Sequence, residues 1–183
     1  MSTYCEGKVA VVTGAGGTLC SAIAIDLAKK GAKVVLVGRT REKLEKVAGE
    51  IAASGGVCRF LINFGSMNTY RPLTRVAPYA MSKAAIANWT MFFAQYMAPA
   101  KVRVNAVAPG FMVNERSRGY LMTPDGGLSS RGEQVMHHTP MGRFGEAEDL
   151  LGCVNWLLDD SVSSFVTGIT VPVDGGFLAS AGV

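Results

Sequence analysis

GGVCRFLINFGSMN, residues 55–68, opens like one β-strand and closes like another, with nothing between them. A parallel strand can return to the starting edge of its sheet only through a crossover of about a dozen residues or more. Val57 to Ser66 is too short for two such strands and a crossover, so VCRFLINFGS forms one strand. Strand–helix units flank it on both sides, and its reading therefore sets how many strands the sheet contains.

Upstream, KVAVVT (Lys8 to Thr13) is a short apolar run rich in β-branched residues that ends in GAGG, the pattern of a buried parallel strand entering a tight turn. Leu19, Ile23 and Leu27 then recur every fourth position up to Gly31, which predicts a helix closed by a glycine cap. AKVVLVG is a second buried strand, Thr40 a candidate N-cap, and Leu44, Val47, Ala48 and Ile51 a second helical stripe. This β-α-β-α rhythm predicts a doubly wound parallel sheet.

Downstream, Tyr79 to Met97 reads as a long helix with apolar residues almost all round, which calls for burial against the sheet on one side and a partner subunit on the other. KVRVNAVAPG is a further strand, and residues 111–145 read as a loop-like lid over a substrate. Glu146 to Asp159 is an amphipathic helix with acidic residues in its first turn. Ile169, Val171 and Val173 alternate into a last strand, whose Pro172 suits a sheet edge. No linker or repeat divides the chain, so residues 1–183 are expected to form one Rossmann-like α/β domain.

At 49% hydrophobic residues the chain can bury a sizeable core. Its net charge of +4 comes from scattered residues, so neither a nucleic-acid partner nor a membrane is expected, and a small-molecule substrate is. Cys5, Cys20, Cys58 and Cys153 lack metal-ligand spacing, and His137 and His138 lack companion ligands, so no metal site is expected. MSTYCEGKVA lacks the charged and apolar regions of a secretion signal, and with reduced thiols this predicts a cytoplasmic protein.

The turn TGAGGTLC follows a strand and opens a helix, where backbone N–H groups can receive a pyrophosphate. YAMSK places Tyr79 and Lys83 at i and i+4 on one helix face. An ammonium about 5 Å from a phenol favours the phenolate by roughly 3 kcal/mol at an effective dielectric near 20, which suits a general acid or base. Taken alone, the pair reads equally as a buried aromatic and a snorkelling amine. It is joined by Ser66 thirteen positions earlier and by NAVAPG after the helix.

Glycine turn, serine, YxxxK and PG in this order resemble the short-chain dehydrogenase/reductase family over essentially the whole chain. TLC, SMN, HTPMGRFGE and PVDGGF are similar to its sugar-acid branch of D-mannonate oxidoreductases and fructuronate reductases. The resemblance implies an oxidoreductase that moves hydride between NAD or NADP and a carbonyl or secondary alcohol. It implies Tyr79 as proton donor or acceptor, Ser66 orienting the carbonyl, and Lys83 holding the nicotinamide ribose while assisting Tyr79. Gly14, Gly16, Gly17, Thr18 and Leu19 would hold the pyrophosphate, and Pro109, Gly110 and Val113 would wall the nicotinamide. It also implies a homo-oligomer, a dimer or tetramer.

Two departures stand out: Thr18 and Cys20 occupy the second and third glycine positions of TGxxxGxG. The second strand ends in VGR without an acidic residue, so Arg39 can meet a 2′-phosphate or stack on adenine. For a sugar acid, Asn68 and an arginine among Arg116, Arg118 and Arg143 are the substrate-binding candidates.

The family also has a third strand, a fourth ending in Asn-Ala-Gly, and a helix with a catalytic Asn before the serine strand, and this sequence has none of them. A continuous chain sets the serine strand beside the first, giving the shortened order 2-1-3-4-5. If two βα units of about thirty residues each belong in the gap, the family sheet is restored. The rival functional reading is a catalytically impaired nucleotide-binding or subunit-interaction protein, left by loss of that central segment.

Overall fold

A computed structural model describes residues 5, 9–37, 41–51, 60–74 and 76–181. Arg39, Thr40, Cys58 and the start of the 55–68 stretch lie outside the described residues. Five strands, β1 (Val9–Thr13), β2 (Lys33–Val37), β3 (Phe60–Phe64), β4 (Arg103–Pro109) and β5 (Thr170–Val173), form one sheet. Its order is β2-β1-β3-β4-β5, and all four pairings are parallel. FLINF is the one described strand between β2 and β4, and it lies against β1 with Ala10 opposite Phe60 and Val12 opposite Ile62.

The helices are α1 (Thr18–Lys29), α2 (Arg41–Ile51), α3 (Ala77–Met97), α4 (Glu115–Leu121), α5 (Ser130–His137), α6 (Ala147–Leu158) and the short α7 (Asp160–Ser163). Helix α1 packs against α2 and α6, while α3 packs against β4 and β3. The main core joins Ala10 and Val12 of β1 to Ile23 and Leu27 of α1 and to Leu150, Val154 and Leu157 of α6. Removing each such Leu or Ile from water is worth about 1.5–3 kcal/mol. Strand β4 is buried along its whole length, with helices contacting it from both α3 and α6.

Three local readings change. Helix α3 begins two residues before Tyr79, with Pro78 in its first turn where the missing N–H costs nothing. The 111–145 segment is not one loop, because Asn114 and Ser129 side chains cap α4 and α5 inside it. Glu146 caps α6 instead of belonging to it, its own N–H donating to the Asp149 carboxylate.

In this order the chain moves outward from β1 to β2 and then returns to the other side of β1 with β3. The crevice at the carboxyl ends of β1 and β3 is therefore the switch point, where open α/β sheets bind ligands.

Candidate active site

At the end of β1, Gly14 turns with φ +68°, a conformation that disfavours side chains, and its carbonyl accepts from the Gly17 N–H at 2.9 Å. Gly17 is the N-cap of α1 and supplies no side-chain cap, so the helix opens onto an uncovered turn. Gly14, Gly17 and Thr18 are exposed there, while Leu19 packs toward the core and can offer only its backbone. An open glycine turn at a helix N-terminus fits a diphosphate.

Strand β3 delivers Gly65 and Ser66 to the same end of the sheet. Ser66 caps a 3-10 turn, Met67–Thr69, with its own N–H donating to Thr69 Oγ1 at 3.2 Å. The Thr69 hydroxyl in turn donates to the Lys83 carbonyl at 3.0 Å, tying the serine turn to the first turns of α3. Lys83 Nζ donates to the Phe64 carbonyl at 2.8 Å and stands 5.6 Å from the centre of the Tyr79 ring. Ser66 and Lys83 thus belong to one hydrogen-bonded unit with the Tyr79 ring beside it; Ser66 is buried and Tyr79 is 48% exposed.

Burial lowers the pKa of Lys83, and the nearby Cys20 sulfur opposes this. Burial pushes the Cys20 thiol up to about 11, against the pull of Lys83. This mutual effect fits the register of β1 and β3, which sets the Lys83 ammonium at the end of β3 beside the glycine turn.

The other sequence candidates distribute unevenly. Pro109 ends β4, and Gly110 lies so close to β5 that a Cβ there would sit 2.6 Å from the Asp174 Cα. The Val113 N–H is already bonded to the Gly145 carbonyl at 2.7 Å. Gly16 lies under the Lys43 side chain of α2. Asn68 is buried and bonded to Ser66 and Leu73, so it supports the serine instead of presenting itself to a substrate. Arg116 and Arg118 are exposed on α4, the latter against the Met122 sulfur.

Arg143 gives both edges of its fork to Asp149, in two contacts of 2.7 Å. The pair lines a cavity of about 240 Å³ with Phe111, Met112, Met141 and Asp174, apart from Ser66, Tyr79 and Lys83. Thr69 and the Phe64 carbonyl escaped sequence reading. The Ser66-x-x-Thr69 spacing of a capping turn was the available signal. Among the described residues no group of three or more His, Cys, Asp or Glu is placed to hold a metal.

The Arg143 hydrogen bond, joined by the Glu146 amide, holds the Asp149 carboxyl down at about 2. A carboxyl depressed in the folded state adds stability that is fully present above its unfolded value near 3.9 and is lost as pH falls through about 2. Asp149→Asn is therefore expected to flatten the acid side of the stability curve across that window, by a modest amount because the pair is solvent-accessible. Thermal melts over an acid titration measure it, and a curve unchanged from wild type would contradict the pairing.

Two family profiles match the chain, "short chain dehydrogenase" over residues 8–61 and "Enoyl-(Acyl carrier protein) reductase" over residues 59–178. The chain belongs to the short-chain dehydrogenase/reductase family. It is accordingly an NAD(P)-dependent oxidoreductase, and the two matches meet at the stretch that the sequence singles out.

The uncharacterized oxidoreductase UxuB of Bacillus subtilis (strain 168) is 34% identical, with 97% of each chain covered. That alignment runs over 269 positions against 183 residues here, so at least 86 positions of the relative have no counterpart. An uncharacterized oxidoreductase of Haemophilus influenzae is 45% identical over 123 residues, 67% of this chain but less than half, 43%, of the relative. A crystal structure from Haemophilus influenza, described as a D-mannonate oxidoreductase with bound NAD, superposes with a TM-score of 0.87 at 30% identity, covering 97% of each chain.

Proposed function

We propose that this oxidoreductase moves hydride between NAD or NADP and the carbonyl or secondary alcohol of a sugar acid of the mannonate or fructuronate kind. The observation that carries this reading is the hydrogen-bonded unit of Ser66, Thr69, Phe64 and Lys83 beside Tyr79, next to an open glycine turn at the sheet's switch point. The similarity to a structure described as a D-mannonate oxidoreductase supports the substrate class.

A bound dinucleotide would supply or take up the hydride. Gly14, Gly16, Gly17, Thr18 and the Leu19 backbone would hold its pyrophosphate, Lys83 its ribose, and Pro109, Gly110 and Val113 would flank the nicotinamide. Ser66 orients the carbonyl oxygen, and Tyr79, exposed at 48%, exchanges the proton with that oxygen on one side and with solvent on the other. With the Arg143 fork spent on Asp149, Arg116 and Arg118 are the candidates for the substrate carboxylate.

The test is oxidation of D-mannonate and of neutral mannitol with each cofactor. Turnover restricted to the acid supports the reading, and turnover of neither rejects it. Neutralising Arg143 is expected to weaken acid and neutral sugar equally, whereas the true carboxylate ligand would weaken the acid far more.

A second reading, a nucleotide-binding or interaction protein with impaired chemistry, draws on the direct β1–β3 pairing. Cofactor binding without turnover would favour it. We assign the protein to the cytoplasm on its thiols, since Cys20 and Cys153 form no disulfide; no described helix is long and apolar enough to cross a membrane.

Self-association completes the proposal. Met91, Phe92 and Tyr96 are 56%, 60% and 67% exposed on α3, and Trp89 and Phe93 stack at 4.5 Å along the same helix. An apolar patch of this kind on a soluble domain marks an interface, and we assign it to a second copy of this chain. Phe92→Glu with Tyr96→Glu should convert the oligomer to monomer in sedimentation; an unchanged mass would remove α3 from the interface.

A further inference from the structure

The Ser66 Oγ accepts two hydrogen bonds from Asn68, one from the backbone N–H at 3.2 Å and one from Nδ2 at 3.3 Å. The other end of the Asn68 amide fixes its orientation. The Leu73 N–H can only donate, and it lies 3.0 Å from Oδ1, so that end must be the oxygen and the end facing Ser66 must be the amine. A serine hydroxyl has two acceptor lone pairs and one proton. With both lone pairs engaged, the proton is all that Ser66 can offer to a third group. Ser66 and Asn68 are each 5% exposed, which shields both contacts from competing water.

We propose that Asn68 is a positioning residue that sets the polarity of Ser66, making it an obligate hydrogen-bond donor toward the substrate oxygen. A donor directed at a carbonyl or alkoxide oxygen stabilises the charge that gathers there during hydride transfer. The Ser66 N–H contact to Thr69 and the Thr69 contact to Lys83 hold the backbone that carries this hydroxyl, so direction and placement are fixed by neighbouring residues of one turn. The catalytic consequence rests on the reading of Ser66 as the substrate-orienting hydroxyl; the polarity itself rests on the contacts alone.

Asn68→Asp is the decisive variant because it keeps the shape and the acceptor for Leu73 while replacing the amine facing Ser66 with a carboxylate oxygen. That oxygen would capture the Ser66 proton and reverse the hydroxyl. Asn68→Ala removes the side-chain donor but leaves the backbone N–H donor and a freely rotating hydroxyl. With D-mannonate and NAD or NADP, kcat is expected to fall about 10²- to 10³-fold in Asn68→Asp and about tenfold or less in Asn68→Ala. A packing role would give the opposite order, and equal losses or a greater loss in Asn68→Ala would overturn the proposal.

The polarity is tested without turnover by hydrogen exchange of the Asn68 backbone N–H in the ligand-free protein. Protection is expected to drop about tenfold or more in Ser66→Ala, which lacks the acceptor. Unchanged protection overturns the assignment. If wild type turns over no sugar acid while protection still depends on Ser66, the proposed substrate fails and the polarity of Ser66 is upheld.

Discussion

Replacing Tyr79 with phenylalanine is expected to lower the rate of hydride transfer by about 10²- to 10⁴-fold, the range associated with a positioned general acid or base. Dinucleotide affinity should stay within about twofold, because the lost hydroxyl acts in the chemical step and not in holding the cofactor. The geometry makes this a clean substitution. The Tyr79 ring stays beside Lys83, and Lys83 is anchored independently through the Phe64 carbonyl. Single-turnover kinetics at saturating cofactor separate the two effects. A variant that transfers hydride at the wild-type rate would remove Tyr79 from the chemistry, and a parallel loss of cofactor binding would show the change to be structural.

Restoring a central segment is expected to have an effect of similar size in the opposite direction. Here β1 pairs directly with β3, whereas the family resemblance places one more strand between the first strand and the serine strand. By strand spacing, its absence would shift the serine strand by about 4.8 Å relative to the glycine turn. Reacting groups tolerate displacements of only about 0.5 Å, and an error of about 1 Å can already cost 10²-fold. We therefore expect the 183-residue chain to oxidise D-mannonate slowly. A hybrid carrying the extra positions of the Bacillus subtilis relative between Ile51 and Phe60 should be at least about 100-fold faster. A folded hybrid no faster than the parent would show that α1 and α3 move with their strands and keep the reacting groups aligned.

Much of this molecule is legible in its sequence because the signals are local. KVAVVT, AKVVLVG and KVRVNAVAPG are buried-strand runs, and β1, β2 and β4 lie within them. The glycine turn follows from its place between a strand and a helix, and Tyr79 and Lys83 share a face because four residues span about one helical turn. Helix ends in the 111–145 segment were less legible, since their caps, Asn114 and Ser129, act through single side-chain bonds within a polar stretch.

The sequence by itself determined the fold class and the family, and it singled out Ser66, Tyr79 and Lys83 as candidates, because each depends on residue type and short spacing. Contacts between residues distant in sequence depend on packing, and only the tertiary structure could decide them. It set the Lys83 ammonium on the Phe64 carbonyl nineteen residues earlier in the chain. It spent the Arg143 fork on Asp149, although in sequence the same guanidinium is one of three equal candidates for a substrate carboxylate. It turned Asn68 inward, where its amide leaves Ser66 only a proton to give, since a side chain's direction is settled by which donors and acceptors surround it.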